Sequence, residues 1–343
     1  MILRIVEVVV GLALAVLVLH DVFDTAVVPG RGRSGLMMSR RLANLALPLW
    51  RRWRKQGVGV DFAPVVLVVS FILWLALLDL AFGLMLHAFA DGFSPPLGGF
   101  WNALYIAGGA MTTMGFAPAQ PHGTAAVITV IASFSGLAVV TMAVTYLLEV
   151  QTNIGRRDSG VLKISTSAGD PPSALALLER YATLGEQEEL AQLLRSARDW
   201  CATVLQSHAS HPSLIYFRSA GTGSGWPATL GTLVDLSLLV EQVLDAPRLL
   251  GAALLLRAQA LRLSDEVTHL LRLDPQPLPD ARPELGAVCA RLREAGYALR
   301  GDIDARRFCE CRQRDIGGIE ALARHLGTEG APLLPRSPLQ RRS

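Results

Sequence analysis

The sequence predicts an all-α membrane protein with an all-α cytoplasmic domain after it. Three observations lead there. Ala63–Leu86 and Thr124–Leu148 are apolar runs, each longer than the roughly 20 residues that cross about 30 Å of hydrocarbon. Between them, Gly98–Phe116 is too short and too polar at its end to cross, and it finishes in Thr112-Thr113-Met114-Gly115-Phe116. Beyond Val150 the composition turns polar and apolar residues recur at helical spacing. The chain has 343 residues and is 51% hydrophobic, above the soluble norm, with the surplus before residue 150.

Residues 1–28 are predicted to form a first transmembrane helix. Ile5–Leu19 is apolar apart from Glu7, and extension to Phe23 makes it long enough, with His20 and Asp21 at an interface. No small-x-small cleavage site follows it and acids stand there instead, which argues against a signal peptide.

Residues 29–60 form a basic loop. Arg31, Arg33, Arg40, Arg41, Arg51, Arg52, Arg54 and Lys55 follow one another without an acid, and no Lys or Arg recurs before Arg156. The positive-inside rule puts this loop in the cytoplasm and Ala88–Gly123 outside. Three spans then give a multi-pass plasma (inner) membrane protein, N-terminus outside and C-terminal domain cytoplasmic. Anionic lipid headgroups at Arg31–Lys55 are the expected partner, and nucleic acid is not. Leu36–Lys55 alternates Met, Leu and Trp with arginine. It either lies flat in the interface or packs as a loop on the helices.

Residues 61–150 hold the two long runs and the short segment. Irregular backbone within a bilayer is tolerated only where protein buries it or water receives its polar groups. Gly98–Phe116 is therefore expected to be reentrant. Phe100–Met111 can make a short helix anchored by Phe100, Trp101 and Tyr105, with its carbonyl end toward the membrane centre. That end carries partial negative charge and favours a cation. Thr112–Phe116 would run back outward, its carbonyls and the Thr113 hydroxyl replacing a cation's water shell. One chain offers too few oxygens, so the chemistry asks for a symmetric oligomer.

Leu104–Phe116 (LYIAGGAMTTMGF), with the Pro118–Pro121 turn and a glycine-interrupted apolar helix after it, resembles the pore module of potassium channels. That family's filter reads Thr-Val-Gly-Tyr-Gly. Thr113 stands at its threonine, Met114 at its valine, Gly115 at its first glycine and Phe116 at its tyrosine, and Thr112 matches the threonine that often precedes. The resemblance implies three transmembrane helices with a reentrant pore helix and filter loop, a homotetramer, and passive cation transport. Potassium is the first expectation for the ion. It implies no enzymatic step and no cofactor beyond the permeant ion. The chain departs from the family at Ala117, in place of the second glycine, at Pro118, and at Gly109 in the pore helix. Should position 117 take a positive φ, alanine costs about 1–2 kcal/mol more than glycine.

In the last span, Gly136 either eases bending, as the family's hinge glycine does, or permits close helix packing. Thr141 and Thr145 are candidates for lining an inner cavity. Asp79, expensive inside a span, is either an intramembrane functional site or paired with a hydroxyl or backbone group. An intramembrane enzyme built on Asp79 would lack a second carboxylate. The rival to a channel is a membrane-anchored helical scaffold or sensor with a non-conducting loop.

Residues 151–172 read as a polar linker, 173–326 as the helical domain and 327–343 as a disordered tail. Ser173 and Gly185 suit a helix start and break. His211–Pro227 reads as a loop, Asp274–Pro283 as a proline-rich break. Leu230–Leu244, Leu249–Leu273, Glu284–Leu299 and Ile303–Leu326 read as helices. No strand-glycine-helix unit is present to bind a dinucleotide. Cys201, Cys289, Cys309 and Cys311 fall in the reducing compartment, so no disulfide is expected. Cys309-x-Cys311 with His325 lacks zinc-site spacing, so no metal is expected.

Overall fold

The computed structural model describes residues 1–26, 45, 62–115, 119–185, 187–219 and 221–335. Apart from Leu45, the Arg31–Lys55 segment lies outside the described residues, as do Phe116, Ala117 and Pro118. The described residues are mostly helical, with ten α-helices and one two-stranded sheet. Three helices are long and apolar enough to cross a membrane: α1 (Ile2–Ala26), α2 (Phe62–Ala88) and α4 (Gly123–Ala168). The chain divides into two compact units, Met1–Pro48 with Ala63–Val150, and Leu49–Phe62 with Gln151–Ser343.

In the N-terminal unit α1 and α2 run antiparallel. Glu7 Oε1 meets His87 Nδ1 at 3.1 Å near one end, and Trp74 Nε1 donates to Asp21 Oδ2 at 2.8 Å near the other. Asp21 is 1% exposed and so is not a water-facing interface residue. A side chain this costly to desolvate needs a donor, and the indole supplies one. Between these ends Gly11 brings the helices together, since a Cβ there would stand 2.5 Å from the Ala81 carbonyl oxygen. Gly83 does the same for α3 (Phe100–Met111), lying against Leu104. Small residues at crossings are how apolar helices pack where no hydrophobic force separates them from lipid.

Two short strands, β1 (Phe93–Ser94) and β2 (Gln120–Pro121), pair antiparallel with Phe93 opposite Pro121. His122 N also donates to Gly92 O at 2.8 Å. The chain therefore leaves α2 and re-enters α4 at one place, and α3 lies in an excursion closed at its base.

The segment expected as a linker is helical instead: α4 continues to Ala168 and ends at Gly169, whose φ is 85°. Val161, Ile164 and Ala168 repeat at helical spacing and are buried in the core of the C-terminal unit. The Trp200 indole occupies the space a Cβ on Gly160 would need, and it donates to Arg157 O at 2.9 Å. Arg157 and Asp158, charged yet buried beside this stripe, and the exposed Lys163 hide it in the sequence.

The C-terminal unit adds α5 (Ala174–Leu184), α6 (Gln187–Ser210), α7 (Gly225–Gln242), α8 (Pro247–Leu271), α9 (Arg282–Glu294) and α10 (Ala305–Leu326). Every residue of α7 from Gly225 to Val240 is buried, as a helix apolar all round should be. Its Asp235 is held by Arg312 of α10 through two bonds, 2.8 and 3.0 Å long. The expected loop from His211 is shorter than read, because Trp226 and Pro227 already belong to α7. The tail is not wholly free of the fold. Leu333 is 1% exposed, and its carbonyl accepts from the Ser173 hydroxyl at 3.2 Å. Residues 336–343 lie outside the described residues.

Asp170 organises the loop before α7. Its carboxylate accepts from Gly223 N at 2.8 Å and from the Ser224 hydroxyl at 2.5 Å. Asp170→Ala is expected to lower stability by about 1–2 kcal/mol, the usual worth of a cap to a helix start. Denaturant titration of the variant against the parent chain checks this.

His208 sets a pH dependence. It is buried, with Nδ1 2.8 Å from Val204 O. Burial, and then the Arg157 charge, lower its pKa from 6.5 to about 3. The folded state excludes a proton that the unfolded chain binds, so stability is full above about pH 6.5 and falls as pH drops toward 3. The loss approaches about 1.4 kcal/mol per pH unit. Melting curves across that window should be steeper in pH for the parent chain than for His208→Gln.

Candidate functional site

The site is built on α3. Gly99, with φ 147°, starts the helix from a backbone conformation other residues rarely adopt. Ala103, Ile106, Ala107 and Met111 form its buried face, while Trp101 and Tyr105 are exposed on the other. Its 12 residues make it about 18 Å long, well short of a ~30 Å hydrocarbon layer.

The end of the helix is closed by its own backbone. Thr113 N donates to Ala110 O at 3.2 Å, and Met114 N donates to Gly109 O at 2.9 Å. This paired closure puts one residue in the left-handed region, a place usually taken by glycine. Here it is Thr113, with φ 56°. A β-branched residue in that region is strained by roughly 1–2 kcal/mol. Such strain persists where surrounding structure imposes it, and it gathers at functional sites. Gly115 also has a positive φ, 74°, so left-handed backbone occurs on both sides of Met114.

Thr112 is committed locally. Its N–H and its hydroxyl both donate to Gly108 O, at 2.9 and 2.7 Å. Thr112, Thr113, Met114 and Gly115 are all exposed in the single chain. A Cβ on Gly115 would meet nothing within 4 Å.

Gly136 lies directly behind this end. A Cβ there would collide with the carbonyl oxygen and α-carbon of Met111, the last residue of α3. The glycine is therefore accounted for by close approach of α3 to α4. Asp79 approaches α3 one turn earlier. A Cβ on Gly108 would stand 3.2 Å from Asp79 Oδ1, an oxygen that is buried and has no hydrogen-bond partner. The pairing expected for Asp79 is not formed by that oxygen. Other acids nearby have partners: Asp24 meets His20, Asp91 meets Arg4, and Glu7 meets His87.

Thr141 and Thr145 stand farther along α4 and are exposed. Their hydroxyls donate back to Leu137 O and Thr141 O at 2.8 and 3.0 Å. Thr129 and Ser133 extend the same four-residue ridge, donating to Ala125 O and Thr129 O. Sequence reasoning missed these two, though their spacing is visible in the chain. The structure thus groups Thr112–Gly115, Asp79 and Gly136 around one helix end, with Thr141 and Thr145 outside that group.

Among the described residues no three His, Cys, Asp or Glu side chains converge to hold a metal. Cys309 and Cys311, two apart on α10, point to different sides of it.

No protein-family model matches the chain, and neither a curated protein nor a solved structure matches it.

Proposed function

We propose that the chain is one subunit of a homotetrameric channel that passes cations, potassium first, down their gradient. In this reading α3 is a reentrant pore helix, and Thr112–Phe116 form a filter on the fourfold axis. Filter oxygens replace the ion's water, and nothing covalent happens. Asp79 and Gly136 hold the helix end in place, and the Thr141 and Thr145 face lines the inner cavity. The basic Arg31–Lys55 segment faces the cytoplasm and its anionic lipid, which leaves the N-terminus outside and the C-terminal unit inside.

One observation carries the reading: a helix too short to span sits in an excursion tied at its base by β1 and β2, and ends in strained, exposed backbone. The closure that holds Thr113 at φ 56° leaves Thr112–Gly115 exposed in the single chain, as a segment facing other subunits around an axis would be. Irregular backbone at membrane depth also needs protein or water around it, and an axial water-filled path provides both.

The scaffold reading has one observation in its favour. The carbonyls of Gly108, Gly109 and Ala110 are taken up by donors of the same chain, so the end of α3 closes on itself without any second copy. Mass separates the two at low cost. Light scattering of the purified protein, corrected for detergent, is expected to give four copies. A monomer cannot encircle an ion and would end the channel reading.

A further inference from the structure

We propose that the C-terminal unit binds a phosphate-bearing ligand of nucleotide size, in the cavity between the Leu278–Ala281 segment and the first half of α10. This goes beyond the channel reading and does not depend on it.

The cavity holds about 570 Å³. That is within the range of small-molecule sites. Its lining mixes two chemistries: the apolar Leu278, Pro279 and Ala281, and the guanidinium-bearing Arg282, Arg306, Arg312 and Arg314. The apolar segment is fixed in place: Leu278 N donates to Gln313 Oε1 at 2.7 Å, and Gln313 Nε2 donates to Gln276 O at 3.1 Å. These bonds hold the segment against α10.

The charges are unevenly satisfied. Arg312 is buried, and its Nε and Nη2 are tied to Asp235. Arg282 pairs with Asp280 and Arg306 with Glu310, all four side chains being substantially exposed. Such pairs are worth little and rearrange at small cost. Among the described residues Arg314 reaches Asp315, at 2.9 Å, and that carboxylate already accepts two bonds from Arg257, at 2.8 and 2.6 Å. Four guanidiniums thus border a space whose own lining contributes two carboxylates, Asp280 and Glu310.

A guanidinium binds phosphate through two parallel charge-assisted bonds, and an exposed carboxylate pair opposes that exchange little. Three guanidiniums spread around one cavity call for anionic oxygens spread likewise. A single carboxylate fills one fork. A di- or triphosphate reaches several, and the remaining volume takes an organic group against Leu278 and Pro279. A free nucleotide and a phosphorylated lipid headgroup share this chemistry.

The test is calorimetric titration of the purified full chain in detergent with three probes: ATP, inorganic tripolyphosphate and a soluble short-chain phosphoinositide bisphosphate. Saturable ATP binding is expected, stronger than that of tripolyphosphate. Arg282→Ala and Arg306→Ala should each weaken it roughly tenfold or more. Arg291→Ala, which removes an ion pair to Glu179 elsewhere in the unit, should leave it unchanged. Binding of the phosphoinositide alone, lost in the same two variants, supports the site with lipid as the source. Absence of binding by every probe at about 1 mM, or binding indifferent to both variants, overturns the proposal. The two arginines are exposed, so equal melting temperatures verify that the variants fold.

Discussion

Gly136→Ala is expected to cost the N-terminal unit about 3 kcal/mol, while Gly155→Ala, on the same helix, should stabilise the chain by about 0.5–1 kcal/mol. The substitution is identical and only the surroundings differ. At Gly136 the new methyl meets the carbonyl and α-carbon of Met111, and backbone cannot swing aside as a long side chain can. At Gly155 it meets nothing within 4 Å. Only the general gain of alanine over glycine in a helix remains there. Thermal melts of both variants in one detergent decide the matter. Equal melting temperatures would mean that α3 does not rest on Gly136. A tolerant Gly136 would also return the residue to the bending role that its position in the span allows.

On the proposed channel reading, Gly115→Asp is expected to abolish cation flux and to leave the mass of the assembly unchanged. Gly115 has φ 74° and open space around its α-carbon in the single chain. On a fourfold axis that space becomes the ion path, and the variant places four carboxylates in it. Four like charges at close range cannot all stay ionised and hydrated in a narrow passage. Those that do would hold a cation too tightly to release it, and conduction needs both entry and exit. Flux assays on reconstituted vesicles, with light scattering on the same preparation, read both quantities. Unchanged flux would remove Gly115 from the path.

The three long apolar helices were legible because a run of that length with hardly a charge satisfies its backbone only as a helix. The helix over Phe100–Met111 was legible for a similar local reason, since aromatic residues mark its start and two threonines follow its end. Features set by distant partners were not. Asp21 reads as an interface residue until Trp74, 53 positions away, is seen to hold it. The stretch from 151 to 168 reads as linker because Arg157, Asp158 and Lys163 interrupt Val161, Ile164 and Ala168. The burial of those three belongs to helices far along the chain. Leu333 reads as tail for the same reason. At the site, the letters Thr-Thr-Met-Gly carry no sign that Thr113 is left-handed, because a β-branched residue ordinarily avoids that region. The contact of Met111 with Gly136 and the orphaned oxygen of Asp79 are likewise products of packing, visible only once α2, α3 and α4 are assembled.

Potassium flux through the purified protein, reconstituted into vesicles of defined lipid with a potassium gradient, tests the central claim most directly. The account predicts passive flux that dissipates the gradient, prefers potassium to sodium and vanishes in Gly115→Asp. Vesicles that hold their gradient although the protein is folded and tetrameric, or flux that survives the aspartate, would contradict it.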